Sequence, residues 1–305
     1  MHFIILDLEW NNAYSKKHKS FVNEIIEIGA VKLDSNLKTV DSFSLFIKAQ
    51  LRKKLHSRVK ELTNITNEDI NTGVPFSKAM SIFRKWSNKE DSIVLTWGDT
   101  DIRVLIENFH YFNGINVIPF LNKYINLQKY TQTFLELSNS EQVGLQAAAE
   151  MLGIDIDGYS LHRALDDSYL SADIFRKVYN EEAIKPYICV CNENFYRRLL
   201  FKARAITDIN SPLIDKKEMR CVCDKCGSKT ERITDWRIIG HSFRAIFYCK
   251  RCKRKLKFTI KFKEFYDRVD VRSVVRPFVE KQETKESDKK EAEGLKNKSF
   301  DDKRA

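Results

Sequence analysis

Three short stretches hold the residues able to do chemistry. "DLEW" sets Asp7 and Glu9 two positions apart, "TWGDTD" contains Asp99 and Asp101, and "LHRALDDSYL" puts His162 five positions before Asp167. Carboxylates are hard oxygen ligands suited to Mg²⁺ or Mn²⁺. Imidazole is the side chain best suited to take up a proton near neutral pH. Together these groups point to metal-assisted chemistry with proton transfer, provided that the fold brings them together.

The elements around them decide whether it can. "HFIILDLEW" reads as a strand, in which alternation puts Asp7 and Glu9 on one face with Phe3 and Ile5, and Ile4, Leu6, Leu8 and Trp10 on the other. Two acids at the end of a buried strand either face solvent or need a cation to offset desolvation and repulsion. In the helical run after His162, Asp167 shares the apolar row of Leu170, Ser171, Ile174 and Val178, whereas Asp166 shares a polar row with Tyr169, Asp173 and Lys177. Asp167 is therefore the inward carboxylate and Asp166 the solvated one. His162 lies about 140° around an ideal helix from Asp167, which places it at the helix entry rather than on that row. In "LTWGDTDIRVLIEN" a strand gives way to a helix, and Asp99 and Asp101 are both candidates for the site, with Asp99 or Thr100 also able to cap the helix.

"EIIEIGAVKLD", "FSLFIK" and "SIVLTWG" read as further strands, and "PFSKAMSIFRKWSN", "DTDIRVLIENFHYF", "LQAAAEMLGI" and "LHRALDDSYLSADIFRKVYN" as helices. Three early strands followed by alternation with helices predict an α/β domain, a mixed sheet covered on both faces, ending near residue 180. Residues 181–218 read as a helical connector with one helix in "ENFYRRLLFKARAI" and a break at Ser211-Pro212.

As an ordered set, "DLEW", "EIIEIGAVKLD", "LTNITNED", "TWGDTDIRVL" and "HRALDD" resemble the motifs of the DEDDh 3′–5′ exonucleases, the DnaQ-like branch of the RNase H-like fold, over about residues 1–180. The resemblance implies that Asp7, Glu9, Asp101 and Asp167 are the metal-binding acids and His162 the general base. It further implies two Mg²⁺ or Mn²⁺ ions clamping a scissile phosphate and release of nucleoside 5′-monophosphates from a 3′ end. "DLEWN" and "TWGDTD" are similar to the RNA-trimming branch that includes histone-mRNA 3′-exonuclease-like and KapD-like proteins, so RNA is favoured over DNA as the partner. A DNA repair or proofreading exonuclease, and a catalytically silent nucleic-acid-binding adaptor, are the rival readings.

All seven cysteines fall between residues 189 and 252. "CDKCG" and "YCKRCK" form two Cys-x-x-Cys knuckles separated by 22 residues, a spacing that predicts a β-rich zinc ribbon over 219–265. Its ligands to one structural Zn²⁺ are Cys223, Cys226, Cys249 and Cys252, with Cys221 an alternative to Cys223. Cys189 and Cys191 are expected to be reduced and unligated.

The net charge of +11 is a C-terminal property: residues 1–180 hold 21 Lys+Arg against 22 Asp+Glu, and 220–265 hold 14 against 4. Lys250, Arg251, Lys253, Arg254, Lys255 and Lys257 crowd the second knuckle, with Trp236, Phe243 and Phe247 in the same module. Cations that neutralise phosphates and aromatics that stack on bases predict a nucleic-acid grip there. Residues 266–305 read as an extension and a charged tail, too poor in apolar residues from about Val279 onward to offset its ordering entropy. No run approaches the roughly 20 apolar residues of a membrane helix and no signal peptide is evident, so a cytoplasmic protein without a membrane partner is expected.

Overall fold

The computed structural model describes residues 1–17, 19–87, 92–138 and 142–279. Two compact units divide the chain, the first covering Met1–Leu200 and the second beginning at Phe201. In unit 1, the described residues form strands β1 (His2–Ser15), β2 (Ser20–Leu33) and β3 (Thr39–Phe46), then helices α1 (Ser57–Thr63), α2 (Asn67–Thr72) and α3 (Phe76–Ser87). β4 (Ser92–Thr96), α4 (Thr100–Asn113), β5 (Lys123–Asn126), α5 (Leu127–Phe134), α6 (Leu145–Met151) and α7 (Ala164–Val178) follow. α8 (Glu181–Ile184), β6 (Cys189–Val190) and α9 (Glu193–Leu200) close it. The sheet order is β3-β2-β1-β4-β5-β6. β1 and β2, β2 and β3, and β5 and β6 pair antiparallel, while β1 and β4, and β4 and β5, pair parallel. This is the mixed sheet expected from the alternating strands and helices, in the RNase H-like arrangement that the motif resemblance implied.

β1 supplies both faces of the core. Ile4, Leu6 and Leu8 pack with Phe76, Phe83, Ile102 and Leu105 of α3 and α4. Phe3 and Ile5 pack on the opposite face with Leu127, Tyr130, Ala172 and Phe175 of α5 and α7. Leu170, Ile174, Phe175 and Val178 of α7 are fully buried, and each such side chain contributes roughly 1.5–3 kcal/mol. Phe175 and Val178 clamp α7 along the face of β1 on which Asp7 and Glu9 lie, while Leu170 and Ile174 pack it against α6.

One glycine permits the clamp. Gly29 pairs with Asp7 across the β1–β2 ladder, and a Cβ placed on it would lie 2.2 Å from the backbone carbon of Ala164 at the start of α7. No other residue allows the helix entry so close to the sheet. Two positions earlier in β2, Glu27 is 1% exposed and accepts hydrogen bonds from Arg163 Nε (3.2 Å), Arg163 Nη2 (2.7 Å) and the Ala164 amide (3.2 Å). The carboxylate thereby caps α7 from another element, which suits the positive end of a helix.

Unit 1 runs past the boundary expected near residue 180. α9 returns Tyr196 and Leu199 to the core, where the Tyr196 hydroxyl accepts from the Ile118 amide at 3.1 Å. The expected connector is therefore divided: its helix ends at Leu200 and closes unit 1, and the "RAI" that follows it becomes a strand of unit 2. α1, α2, β5, α5, α8 and β6, none longer than eight residues, add to the elements expected from the sequence.

Unit 2 contains β7 (Arg204–Ile206), β8 (Glu231–Arg232), β9 (Arg237–Ile239), β10 (Ser242–Cys249), β11 (Arg254–Glu264) and β12 (Val269–Pro277). The order is β12-β11-β10-β8, with β7 paired to β11 and β9 to β10. The module exceeds the expected 219–265 span at both ends, because Ile206, Ile214 and Val271 join its core and β12 pairs with β11 from Leu256 to Glu264. Phe243 and Phe247, expected as base-stacking candidates, are buried there, and Trp236 packs edge-on against Phe247 at 5.8 Å. The tail beyond residue 279 lies outside the described residues. Among those described, no helix is long and apolar enough to cross a membrane.

Gly29→Ala is expected to lower stability by about 3 kcal/mol or more, since backbone rather than a flexible side chain must move. Gly158→Ala, where an added Cβ meets nothing within 4 Å, is expected to stay within about 0.5 kcal/mol. Denaturant midpoints of the two variants test this, and equal shifts would contradict it.

Candidate active site and metal centres

Asp7 and Glu9 leave the same face of β1 beyond Phe3 and Ile5, at mid-strand rather than at the strand end expected from the sequence, because β1 continues to Ser15. Asp167, one turn into α7 and 9% exposed, meets them from the helix packed on that face. One carboxylate oxygen from each of the three lies within 4.8 Å of the others. Asp101, 5% exposed in the first turn of α4, accepts a hydrogen bond from the Leu8 amide at 3.2 Å, which ties the fourth acid to the backbone between Asp7 and Glu9. Asp99 has a different occupation: its Oδ1 accepts from Tyr124 Oη (3.1 Å) and Asn126 Nδ2 (2.9 Å), bracing β5. The alternative between Asp99 and Asp101 is resolved by which one faces the other acids.

His162 precedes α7 with φ of 64°, a left-handed conformation uncommon outside glycine. Its amide donates to Asp167 Oδ2 at 3.1 Å, so the carboxylate holds the turn that presents the imidazole. The side chain is exposed and lines the same cleft as Asp7, Glu9, Asp101 and Asp167, a space of about 750 Å³. Trp10, Trp97 and Leu145 add apolar wall, and His56, Arg58 and Leu62 add the edge contributed by α1 and the residue before it. α1 ends at Asn64 in the left-handed region and is followed by a Thr66–Asp69 capping box that starts α2. The "LTNITNED" stretch is thus the joint that aims one wall of the cleft.

Glu27 is the functional neighbour that the sequence reading left unassigned. It points toward Arg163 and the helix entry, and its carboxylate still raises the proton affinity of Asp7, Glu9 and Asp167. Its strand alternation with Gly29 was readable, but its partner lies 136 residues away.

The acids are electrostatically unsatisfied. Burial, followed by repulsion from Asp101, Asp167 and Glu9, holds the Asp7 carboxyl well above its ordinary value. Burial and then Asp167 push Glu9 up to about 8. Burial, opposed by backbone hydrogen bonds, moves Asp101 to about 7. Burial moves Asp167 to about 6 against the pull of His162. A cluster of hard oxygen donors raised chiefly by desolvation and mutual repulsion fits a divalent cation of the Mg²⁺ or Mn²⁺ kind.

In unit 2 the thiols of Cys223, Cys226, Cys249 and Cys252 lie within 4.8 Å of one another. The Sγ–Sγ separations are 3.9 Å for Cys223–Cys252 and 3.6 Å for Cys226–Cys249. Four thiolates at about 2.3 Å from a tetrahedral zinc would be separated by about 3.75 Å, whereas disulfides require about 2.05 Å. The donor set therefore fits one closed metal site. Both knuckles turn through a left-handed residue after their second cysteine, Gly227 (φ 68°) and Lys253 (φ 52°). Cys221 is outside the cluster: it is buried in the module core and its carbonyl accepts from Thr230 Oγ1 at 2.7 Å. Cys189 and Cys191 also lie outside the thiol cluster, and burial pushes the Cys191 thiol up to about 12.

The predicted basic patch is divided. Lys250 pairs with Glu231 and Arg254 with Asp224, which neutralises two of its six cations. Arg251, Lys253 and Lys255 are exposed around the second knuckle, and Lys257 is further along β11 on the face away from the core.

Residues 4–175 match the family described as Exonuclease. The chain is 30% identical over 176 residues to the probable 3′-5′ exonuclease KapD of Bacillus subtilis (strain 168), which covers 57% of this chain and 83% of that protein. It is 29% identical over 192 residues to ERI1 exoribonuclease 2 of Homo sapiens, covering 55% of this chain but only 27% of the human protein. Among solved structures, a full-length 3′-exonuclease shares the fold with a TM-score of 0.52 at 21% identity, over 63% of this chain and 91% of that one. Cell-death related nuclease 4 shares it with a TM-score of 0.50 at 18% identity, over 75% of this chain and 87% of that one.

The raised carboxyls predict how stability varies with pH. In protein free of Mg²⁺ and Mn²⁺, the folded state keeps protons that the unfolded chain has already lost. Stability from these groups is thus fully present below their ordinary values of 3.8 and 4.5, and is lost as pH rises through about 6 for Asp167, 7 for Asp101 and 8 for Glu9. A divalent ion reverses the loss, so the gain in melting temperature on adding Mn²⁺ should grow between pH 5 and 8.5. A gain independent of pH would contradict cation binding at these acids.

Proposed function

This chain belongs to the exonuclease family and is a 3′–5′ exonuclease, and we propose that it trims RNA or other single-stranded nucleic acid with Asp7, Glu9, Asp101 and Asp167 holding two divalent ions. The observation that carries this reading is the convergence of Asp7, Glu9 and Asp167 within 4.8 Å, with Asp101 bound to the backbone between the first two. Mg²⁺ or Mn²⁺ at these acids would supply charge neutralisation of the scissile phosphate and acidification of the attacking water.

The chain's own groups supply the rest. His162, exposed at the cleft and held in its turn by Asp167, accepts the proton of the attacking water at its imidazole nitrogen. Glu27 and Arg163 position that turn without reaching the reacting atoms. Trp10, Trp97 and Leu145 give the terminal nucleotide an apolar seat. The products are a nucleoside 5′-monophosphate and a strand shorter by one residue, with a new 3′-hydroxyl. The name of the human relative, an exoribonuclease, supports RNA over DNA as the substrate. In unit 2, Cys223, Cys226, Cys249 and Cys252 hold one structural Zn²⁺, and the module binds the nucleic acid.

The test uses 5′-labelled RNA and DNA of matched sequence with Mg²⁺ or Mn²⁺. RNA should shorten progressively from its 3′ end and faster than DNA. Equal or faster DNA trimming would overturn the RNA preference, and inertness toward both would favour an adaptor.

Two variants separate chemistry from folding. Asp7→Asn should abolish trimming. His162→Asn, whose side chain tolerates the left-handed turn, should slow it by about 10²–10⁴-fold at an unchanged melting temperature. Wild-type turnover by His162→Asn would remove the imidazole from the mechanism. Cys226→Ser should lose the bound zinc measured by metal analysis and lower the melting temperature, and retained stoichiometric zinc would exclude this ligand set.

A further inference from the structure

Alternation along β11 sends Leu256, Phe258, Ile260 and Phe262 into the core of unit 2 and Lys257, Thr259 and Lys261 to the opposite face. The register then sets cation against cation across neighbouring strands. Arg237 faces Arg244, Lys257 faces Arg276, and Lys261 faces Arg272. Like charges directly opposite each other destabilise a sheet, so three such pairs on one face are a standing cost unless an anion offsets them.

The centre of this face is concave. A pocket of about 300 Å³ is lined by Arg244, Lys257, Thr259, Val274 and Arg276. Three cations and a hydroxyl converge there without a carboxylate. None of the six cations in the opposed pairs forms an ion pair among the described residues, and Arg244 Nε is buried without a hydrogen-bond acceptor. Two acids on this face are already engaged: Asp270, opposite Lys263, accepts from Arg268 Nε at 2.9 Å, and Glu231, opposite Tyr248, pairs with Lys250. The knuckle differs, since Lys250 and Arg254 already have carboxylate partners.

We infer that this face, centred on Arg244, Lys257 and Arg276, binds the sugar–phosphate backbone of single-stranded nucleic acid, with one phosphate seated in the pocket against the Thr259 hydroxyl. The guanidinium groups can engage phosphate oxygens in a forked geometry, and Tyr248, opposite Lys255 on the same face, offers a ring for a base. The inference rests on the reading of the chain as a nuclease and names the surface that retains the strand. It differs from the basic knuckle in using sheet residues from three strands.

The experiment compares full-length wild type with the triple variant Arg244→Gln/Lys257→Gln/Arg276→Gln, using anisotropy of a labelled 20-nucleotide strand over a salt series without Mg²⁺ or Mn²⁺. Affinity at low salt should fall at least tenfold, and the slope of log affinity against log salt should flatten by about 2, the value for three lost phosphate contacts on a single strand. The variant should melt no lower than wild type, because it relieves repulsion. Hydrolysis of the p-nitrophenyl ester of thymidine 5′-monophosphate should be unchanged. The charge-retaining variant Arg244→Lys/Lys257→Arg/Arg276→Lys should keep the wild-type slope.

A folded triple variant with wild-type affinity and slope overturns the inference. It is equally overturned if the loss appears only in a knuckle variant, Lys250→Gln/Arg251→Gln/Lys253→Gln. Binding to phosphatidylserine vesicles that the triple variant loses, with oligonucleotide affinity intact, overturns it in favour of a membrane surface. Wild type that trims RNA while the triple variant binds normally sinks this surface alone, whereas wild type that neither trims nor binds sinks the nuclease reading with it.

Discussion

Packing carboxylates from mid-strand β1 and from α7 against one another is the constraint on which unit 1 depends. At the 4.8 Å limit that contains Asp7, Glu9 and Asp167, each pair of charges repels by roughly 3–4 kcal/mol at an effective dielectric of 20. Three pairs cost on the order of 10 kcal/mol, comparable with the whole stability of an ordinary domain. Fully ionised, the cluster can persist only if cations neutralise it or if strong packing elsewhere holds its supports together. The raised proton affinities of these acids and the deep burial of α7 are two expressions of the same balance.

The supports of the cluster come from separate elements because no single element could aim four acids inward. β1 contributes two by alternation, α4 contributes Asp101 through a bond to the Leu8 amide, and α7 contributes Asp167. Gly29 lets the helix approach, and Glu27 fixes its entry by accepting from Arg163 and Ala164. The left-handed turn at His162 is a consequence of that entry. The exposed His162 is thereby held by the carboxylate beside it.

Unit 2 solves a different problem with the same alternation. Its core is a row of aromatic and aliphatic side chains, so that Phe243 and Phe247 stabilise the module rather than meet a ligand. The other face sets Arg237 against Arg244, Lys257 against Arg276 and Lys261 against Arg272, with none of the six in an ion pair among the described residues. Around the knuckle, acids at Glu231 and Asp224 neutralise part of the charge that composition alone would assign to binding. Sequence density of Lys and Arg thus overstates the free charge around the knuckle.

The sequence by itself determined the inventory of chemistry and the face on which each group lies. The order of the acids, the inward direction of Asp167 over Asp166 and the two cysteine knuckles depend on periods of two or 3.6 residues and on spacings of a few residues, which are local. What the tertiary structure decided depends on pairs far apart in the chain: Glu27 as the cap of α7, and Cys221 as a core residue. The placement of α9 in unit 1 and of Arg204–Ile206 in unit 2 has the same origin. Periodicity tells a side chain which way to face; only the packed chain tells it what it will meet there.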